Sequence, residues 1–488
     1  AKIDNKRDPN RALQKPSTSN PGVIAPTSIN NKAFITKENK PKVKNVTGKE
    51  TNWTIGFIKV LIRPKKLSGK IDVVPSKSYS HRAIIAASLA SGKSIIKNVI
   101  FSNDILRTID CCRAFGAKIE VFDNYLVIDG IDEIRRMECE INAGESGSTI
   151  RFMIPIMLVN PLPMEFKGEN HLNNRPLDSY FEIFDKFGID YSHPNGSYMP
   201  LKTKGGLTPG VYEIKGDVSS QFITGLLFAL PLLSGDSIIK ITTKLESKSY
   251  IDLTLDILKK FNIIVTNNNY EEFIISGNQK YLPYDYTVEG DFSQAAFFLV
   301  AGALGNDISL GCMNLDSLQG DRKILDDIKA LGANILVDDD LIKAIPNKLV
   351  GNVIDFSNSP DLGPVLSVLA SVAEGETSFI NAKRLRIKEC DRITCVKEEL
   401  LKLGAIVSES LEEMYFTGVS TLHGSMELDS HNDHRIAMAL AVASTICTSP
   451  LLIEGAQCVR KSYPHFWEDF KKLGGDFDEL AWWIKKKD

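Results

Sequence analysis

The feature of this chain that most restricts its fold is an internal repeat of about 70 residues. Six times, a helical stretch ends in Phe or Leu and is followed by Gly or Asn and then by β-forming residues. The intervals between successive pivot residues are 72, 74, 70, 72 and 70, the pivots being Gly116, Gly188, Asn262, Gly332, Gly404 and Gly474. Gly and Asn commonly close helices in the left-handed conformation. The period therefore predicts six copies of one unit.

A second recurring sequence pattern lies upstream of each pivot, where a polar residue begins a helix of small apolar residues. The matching positions are Ser78, Ser148, Ser220, Ser293, Asp361 and Asp433, at intervals of 70, 72, 73, 68 and 72. Ser and Asp favour N-cap positions, and we expect capping by these residues or close neighbours, at Ser293 above all. These helices are apolar nearly all round, which predicts burial. Each unit then reads as strand, buried helix, strand, exposed helix and further strands.

Length and composition indicate a protein with two domains. A chain of 488 residues is too long for one compact core, and three repeats closing around three buried helices would form one domain. Residues 1–52 differ from the rest, with 11 Lys and Arg against 4 Asp and Glu and no sustained apolar periodicity. We predict a disordered tail or sequence added for expression there, with a transit peptide as the alternative.

Charge and cysteine usage exclude several classes of function. The net charge of −3 argues against a protein that binds nucleic acid through bulk positive charge, and no apolar run is long enough to span a membrane. The eight cysteines are scattered, with no CxxC pair and no Cys/His cluster of metal-ligand spacing. We therefore expect reduced thiols, a cytoplasmic location, no metal and no membrane or nucleic-acid partner.

Cations stand where the buried helices begin. Lys77 and Arg82 flank the first helix start, Arg151 follows the second, and Arg435 lies in the sixth. An exposed charged face would explain any one of them. However, these helices are otherwise apolar, their N-termini already carry positive partial charge, and a buried cation without a partner is costly. We expect the helix starts of both domains to face one cleft that binds at least two anionic groups, phosphate or carboxylate.

Carboxylates lie among these cations in the sequence. Asp361 opens an apolar helix after a proline, and Glu389 and Asp391 lie in "RLRIKECDRI". Taken alone, Asp361 fits a helix cap and the second segment fits a salt-bridged helix start. Inside a cationic cleft the same carboxylates are placed for acid–base chemistry.

Ten motifs in order give the chain a resemblance to a known family. They are "PSKSYSHRA", "GESGSTIRF", "NRPLDSY", "DVSSQFITGLL", "LESKSYIDLTL", "EGDFSQAA", "SPDLGPVL", "RIKECDR", "HNDHRIAM" and "VRKSYPHFWEDF". Residues 57–488 thereby resemble the enolpyruvyl transferases, and among them the members that act on shikimate 3-phosphate. The resemblance implies an α/β (α+β) class and a two-domain inside-out α/β barrel of six βαβαββ repeats. Three repeats form each domain, with the first domain at 77–288 and the second at 53–76 plus 289–488.

The resemblance also implies the substrates and the residues that hold them. Shikimate 3-phosphate would be held by Ser78, Arg82, Ser219, Ser220, Ser247, Asp361 and Lys388. Phosphoenolpyruvate would be held by Gly147, Arg175, Arg392, Arg435 and Lys461. Lys77 and Gln221 would contact both substrates.

Catalytic roles follow from the same resemblance. Asp361 would take the proton of the shikimate 5-hydroxyl, Glu389 would protonate the methylene carbon of phosphoenolpyruvate, and Lys77 would join them as a catalytic residue. A tetrahedral intermediate would form and lose phosphate. No cofactor is implied, and we expect a monomer.

Three other functions fit the sequence less well. The family branch that uses UDP-N-acetylglucosamine normally carries Ala-Lys-Asn at this helix start and, elsewhere, a reactive loop cysteine. This chain has Ser76-Lys77-Ser78 followed by Arg82, which suits a phosphorylated acceptor better than a nucleotide sugar. RNA 3′-terminal phosphate cyclase has a related repeat fold but needs a Gly-rich start and a nucleophilic histidine. A non-catalytic anion-binding relative would not need Asp361 and Glu389. One departure is that Glu145 stands where Asn is common in the family.

Overall fold

The computed structural model describes residues 53–134, 139–338 and 341–485. The stretch 1–52, predicted to be a tail or added sequence, lies outside the described residues. Contacts divide the chain into two units. The larger unit, Lys59–Asp478, contains the six repeats and the site described below. The other unit comprises Ala1–Ile58 and Glu479–Asp488, and its described part consists of portions of two strands.

The helices follow the predicted repeat. The α-helices within the described ranges are α1 (Lys77–Leu89), α2 (Asn103–Ala114), α3 (Gly147–Met157), α4 (Asp178–Phe187), α5 (Ser220–Ala229), α6 (Lys248–Lys260), α7 (Phe292–Ala303), α8 (Ile324–Ala330), α9 (Gly363–Ala370), α10 (Arg392–Lys402), α11 (His434–Ala443) and α12 (Phe466–Lys472). The 3-10 helices are Asn170–Asn174, Leu230–Leu232, Gly320–Lys323, Pro360–Leu362, Lys383–Ile387 and Ala456–Lys461.

The strands are short and alternate with these helices. They are β1 (Trp53–Arg63), β2 (Ser68–Asp72), β3 (Lys93–Lys97), β4 (Lys118–Val121), β5 (Tyr125–Asp129), β6 (Glu140–Asn142), β7 (Met164–Lys167), β8 (Asp190–Ser192), β9 (Leu201–Lys204), β10 (Val211–Ile214), β11 (Ser237–Ile241), β12 (Val265–Asn268), β13 (Glu272–Ile275), β14 (Tyr286–Thr287), β15 (Asp307–Gly311), β16 (Asn334–Asp338), β17 (Leu341–Ile345), β18 (Val353–Asp355), β19 (Glu376–Ile380), β20 (Ile406–Glu409), β21 (Met414–Thr417), β22 (Leu428–Asp429), β23 (Leu451–Glu454) and β24 (Asp476–Lys485).

The strands form six four-stranded sheets of one design. Their strand orders are β14-β3-β5-β4, β6-β7-β9-β8, β10-β11-β13-β12, β16-β17-β15-β2, β18-β19-β21-β20 and β22-β23-β1-β24. In the third sheet β10 runs parallel to β11, with Val211 opposite Ile238, while β13 runs antiparallel to both β11 and β12. In the sixth sheet β1, from the beginning of the chain, takes the place that β13 has in the third.

Two strands are exchanged between the first three and the last three repeats. Strand β2 pairs in parallel with β15, and β14 pairs in parallel with β3. The two crossing segments also contact each other, because the Ser76 N–H donates to the Glu289 carbonyl at 2.8 Å and the Asp291 N–H donates to the Val74 carbonyl at 2.9 Å. The predicted boundaries at 76/77 and 288/289 fall in these segments, and the division itself stays a prediction.

The core consists of the helices predicted to be buried. In α1 every residue from Tyr79 to Leu89 is buried, and α7, α9 and α11 contact one another. Buried apolar side chains between Tyr79 and Val288 form one continuous cluster. The second helix of each repeat is amphipathic, as in α2, where Ile105 and Ile109 are buried while the last turn carries Arg113. Among the described helices, none is long and apolar enough to cross a membrane.

The predicted helix ends are confirmed, and four of the six predicted caps lie at the named residue or a close neighbour, whereas the caps predicted at Ser293 and Asp361 are wrong. All six pivots have φ between +66° and +113°. At the helix starts, Asp433 caps α11 as expected. Elsewhere the cap lies one or two residues earlier, at Ser76, Ser146, Ser219 and Asp291. Asp291, not Ser293, accepts the N–H at the start of α7, and Asp361 lies inside the 3-10 helix Pro360–Leu362 without capping.

Candidate active site

The starts of the six buried helices line one cavity. Residues at or next to the first turns of α1, α3, α5, α7, α9 and α11 all contribute to its wall. The predicted site residues that it brings together are Lys77, Ser78, Arg82, Gly147, Arg175, Ser219, Ser220, Gln221, Asp361, Lys388, Glu389, Arg392 and Arg435. Helix N-termini present free N–H groups and positive partial charge, so such a cavity favours anions.

Two predicted residues do not line this cavity. The Ser247 hydroxyl is buried and accepts a hydrogen bond from Arg384, which itself lines the cavity. Lys461 is largely buried, and its Nζ lies 3.0 Å from the Glu145 carboxylate. Glu145 also accepts from the Asn170 side chain at 2.5 Å, and its own contact with Lys461 joins residues 316 positions apart in the chain. In this arrangement the charge of Lys461 is already paired.

Several lining residues were absent from the residues assigned to either substrate, although Arg151, Ser148 and Ser293 were expected at helix starts that face the cleft. They are Asp104, Ser148, Arg151, Phe152, Pro176, Val218, Tyr250, Asp291, Ser293, Arg384, Ile387 and His434. The sequence does carry a signal for some of them, because Arg151 stands in a helix start and His434 adjoins Arg435. Arg384 precedes Lys388 by four residues in a basic segment whose path the sequence does not reveal. Tyr250 lies within the motif "LESKSYIDLTL" but was not assigned a role, and Asp104 belongs to an amphipathic helix and carries no such signal.

The cavity is cationic although the whole chain is slightly acidic. Eight Lys and Arg side chains line it against four Asp and Glu side chains, whereas the net charge of the chain is −3. Each acidic side chain has a specific partner: for example, Asp104 lies 2.9 Å from the Lys77 ammonium, and Asp291 caps α7. The local excess of positive charge is what a pair of anionic ligands requires.

Asp361 lies at the centre of the cations contributed by the last three repeats. Its carboxylate accepts from Arg392 and Arg435 at 2.9 Å each, and the Lys388 ammonium lies 3.2 Å away. Burial alone would raise the pKa of the Asp361 carboxyl, but these three cations hold the pKa well below its usual range. Burial lowers the pKa of Lys388 to about 8, although the charge of Asp361 opposes that change.

Arg392 joins three carboxylates. Its Nε donates to Asp433 at 2.7 Å, and its two terminal nitrogens donate to Asp361 and to Glu389, the latter at 2.6 Å. Although burial lowers the pKa of a guanidinium, these carboxylates raise the pKa of Arg392 above its ordinary value. In the same way burial would raise the pKa of Glu389, but Arg392 and Arg175 hold it well below its usual range.

Arg175 and Arg151 contribute cations from the first three repeats. The Arg175 guanidinium lies against Gly147, where an added Cβ would stand 2.4 Å from Nη1, and it reaches Glu389 at 4.0 Å. Arg151 donates to Gln221 at 2.7 Å. The Nε atoms of both arginines are buried and have no hydrogen-bond partner among the described residues. A glycine at 147 therefore gives the Arg175 side chain the room it occupies.

Other groups of the cavity are fixed by the fold or left unpaired. Arg82 donates to Thr254 and to the carbonyls of Ser78 and Tyr250 at 2.8–3.0 Å, which locks its side chain in place. Burial lowers the pKa of its guanidinium to about 10. In contrast, neither ring nitrogen of buried His434 has a hydrogen-bond partner within the described chain. The described residues include no group of three or more His, Cys, Asp or Glu side chains able to hold a metal ion.

A family model described as EPSP synthase (3-phosphoshikimate 1-carboxyvinyltransferase) matches residues 62–470. The chain belongs to this family. Proteins named 3-phosphoshikimate 1-carboxyvinyltransferase from Clostridium beijerinckii and Clostridioides difficile are each 49% identical to it, over 426 and 428 residues, covering 86% of this chain and 98% of each relative. The predicted family and the predicted enzyme class, a transferase, are thereby confirmed.

Solved structures support the fold of the family. An EPSP synthase from Acinetobacter baumannii matches with a TM-score of 0.72 at 24% identity, covering 87% of this chain and 100% of that one. The enolpyruvyl transferase NikO from Streptomyces tendae matches with a TM-score of 0.71 at 18% identity, covering 87% and 99%. The predicted inside-out α/β fold of two domains is confirmed.

Proposed function

We propose that this protein transfers the 1-carboxyvinyl group of phosphoenolpyruvate to the 5-hydroxyl of shikimate 3-phosphate and releases phosphate. This is the function predicted from the sequence, and the family to which the chain belongs bears it out. The observation that carries the assignment of the site is the convergence of six helix starts and eight cations on one cavity that also holds Asp361 and Glu389. The same cavity thus offers positive charge for two anions and carboxyl groups that can transfer protons.

For the acceptor, the relevant groups lie around the starts of α1 and α5. Ser219 and Ser220 stand at the N-terminus of α5, and Arg384 reaches the cavity while donating to Ser247. Hydroxyl groups, free helix N–H groups and a guanidinium together form a site for a phosphate group. Lys388, beside Asp361, supplies a further cation to the bound acceptor.

For the donor, the relevant groups come from both halves of the repeat array. Arg175 belongs to the second repeat, and Arg392 and Arg435 belong to the fifth and sixth. Three guanidinium groups in one cavity match the carboxylate and phosphate of phosphoenolpyruvate. Two further residues can contact the donor. The ring nitrogens of His434 have no hydrogen-bond partner among the described residues, and Lys461 becomes available once Glu145 releases it.

Binding of the donor also changes the acid–base groups. Without substrate, Asp361 is a weak base and Glu389 is ionised, because the same arginines lower both pKa values. Substrate anions that take up Arg392 and Arg435 reduce the positive charge felt by both carboxyls, and their pKa values rise. Asp361 then accepts the 5-hydroxyl proton while Glu389, protonated, donates to the methylene carbon. Chemistry therefore requires both substrates together.

The reaction balances in two steps. The acceptor oxygen bonds to C2 of phosphoenolpyruvate, and the methylene carbon becomes a methyl group in the tetrahedral intermediate. A methyl proton and the phosphate then leave, which restores the double bond. Fixed cations stabilise the phosphate as it departs, and closure of the cavity around both substrates would keep water from the intermediate.

A phosphate-release assay with two acceptors tests this function. We expect release of phosphate from phosphoenolpyruvate with shikimate 3-phosphate and none with UDP-N-acetylglucosamine at the same concentration. Release that depends on the nucleotide sugar, or that needs no acceptor, would contradict the assignment.

We further propose that the protein acts as a monomer in the cytoplasm. The six repeats of one chain already supply eight cations and the carboxylates Asp361 and Glu389 to the cavity, which supports a site built within a single copy. Cys112, Cys395, Cys447 and Cys458 are buried free thiols, which suits a reducing compartment. Sedimentation equilibrium at working concentration tests the first statement, and a dimeric mass would contradict it.

A further inference from the structure

One buried carboxyl group next to the cavity has no part in the chemistry described so far. Asp321, in the 3-10 helix Gly320–Lys323, is 5% exposed. Its Oδ2 accepts a hydrogen bond from the Tyr250 hydroxyl at 3.1 Å, and its Oδ1 is buried with no hydrogen-bond partner among the described residues. A buried carboxylate with one oxygen unsatisfied is costly, so structure alone does not account for this residue.

The Tyr250 hydroxyl stands between two carboxyl groups. It lies 3.1 Å from Asp321 and 3.5 Å from Asp361. A phenolic hydroxyl carries one proton to donate and lone pairs to accept. It can therefore receive a proton from one carboxyl while giving its own to the other. The three side chains form a chain Asp361–Tyr250–Asp321 that leads from the cavity into the protein.

The surroundings of the two carboxyls favour opposite protonation states. Burial, and then the charge of Asp361, raises the pKa of Asp321 to about 7, and Asp291 adds to this while Arg435 and the Tyr250 hydrogen bond oppose it. Asp361, in contrast, is surrounded by cations that lower its pKa. A proton is thus more stable on Asp321 than on Asp361, and pairs of carboxyls with such separated pKa values divide acid and base roles.

We propose that Asp321 holds, through Tyr250, the proton that Asp361 removes from the acceptor hydroxyl. The inference rests on the proposed function. As the acceptor O–H bond breaks, its proton goes to Asp361. The proton of Asp361 then goes to the Tyr250 oxygen as the Tyr250 proton passes to Asp321 Oδ2, so Asp361 is restored as an anion. The reverse path returns the proton to the departing phosphate, and no electrons are exchanged. Asp321 touches no substrate and is a positioning residue.

The substitution Asp321→Asn tests this role with little change in shape. Its amide oxygen can still accept from the Tyr250 hydroxyl, but the side chain cannot take up a proton. We expect kcat to fall about 10- to 100-fold, within the range of general acid–base effects, with KM for both substrates changed less than about threefold. Asp321→Glu, which restores a carboxyl group, should recover part of the lost kcat.

The pH dependence of kcat separates this role from a structural one. In the wild type, Asp321 that is already protonated cannot accept another proton, so kcat should fall as the pH drops below about 7. That acidic limb should be absent in Asp321→Asn. Asp327→Asn is the matched control, because Asp327 is likewise buried with a raised pKa and with one oxygen that has no hydrogen-bond partner among the described residues, yet its carboxylate pairs with Lys323 and not with Tyr250.

A double variant completes the test. If Asp321 acts through Tyr250, Tyr250→Phe should lower kcat similarly, and the pair should lose no more than either single variant. Wild-type kcat with an unchanged pH profile in Asp321→Asn, or losses that multiply in the double variant, would overturn the inference.

If Asp321→Asn does not fold, Asp321→Glu and Tyr250→Phe decide: a Tyr250→Phe enzyme that keeps the wild-type kcat and acidic limb overturns the inference. Failure of the wild type to turn over the two substrates would instead refute the proposed function.

Discussion

Asp361 pairs with several cations of the cavity at once. It accepts from Arg392 and Arg435 and pairs with Lys388, so its charge holds three cations of the cavity in place. Under the proposed function, substrate anions replace Asp361 as the partner of these cations. A carboxylate used only as a cap would have no such set of partners.

Asp361→Asn should abolish most of the activity and leave stability largely intact. Asparagine cannot accept the hydroxyl proton, so we expect kcat to fall about 10²- to 10⁴-fold. Arg392 keeps Asp433 and Glu389, and Arg435 keeps Ser293, which limits the loss of stability. Steady-state kinetics and thermal melting measure the two effects, with the exposed Asp316→Asn as control. Large unfolding with normal specific activity in the folded fraction would favour a purely structural role.

Lys388 should give acceptor binding a basic pH limit. The pKa of its ammonium is lowered to about 8, so above that pH the free enzyme loses this positive charge and attracts the acceptor phosphate less. We expect kcat/KM for shikimate 3-phosphate to fall as the pH rises above about 8. In Lys388→Arg the guanidinium stays charged, and the fall should move to higher pH. Lys383→Arg, at an exposed lysine, serves as control. An unmoved limit in Lys388→Arg would contradict this role.

At the scale of elements, sequence determines where helices end more clearly than where they begin. Every predicted pivot has a positive φ, because Gly and Asn adopt that conformation at low cost. At the starts, "SKS" offers two serines, and composition does not distinguish a cap from a ligand-facing residue. The pairing of the two segments that cross between the sets of repeats determines which serine is the cap. Pro75 bridges to Gly290, which places Ser76 at the cap and Ser78 in the cavity wall.

The two serines should therefore respond differently to alanine. Ser76→Ala removes the side chain that accepts the Tyr79 N–H and should lower the free energy of unfolding by about 1 kcal/mol. Ser78→Ala should leave stability unchanged and raise KM for shikimate 3-phosphate. Urea denaturation and steady-state kinetics on both variants measure this. The opposite assignment, with Ser78→Ala the less stable variant, would restore the cap predicted from the sequence.

At the scale of the whole molecule, periodicity predicted the six repeats, and with the motifs it predicted the family. It could not predict that β2 and β14 are exchanged between the two sets of repeats, since strand pairing over more than 180 residues leaves no local pattern. The predicted site is brought together for the same reason that the fold is predictable: equivalent helix starts occupy equivalent places. Ser247 and Lys461 lie on other elements, and the partners they have, Arg384 and Glu145, depend on loop paths.

Under the proposed function, cations from both sets of repeats bind two anionic substrates in one cavity. A crystal structure of the Glu389→Gln variant with shikimate 3-phosphate and phosphoenolpyruvate tests it most directly. We expect both ligands, reacted or not, inside the cavity, with Arg175 from the first three repeats and Arg435 from the last three within hydrogen-bond distance of the donor's anionic groups. A ligand outside the cavity, or a donor held by cations of one set alone, would contradict it.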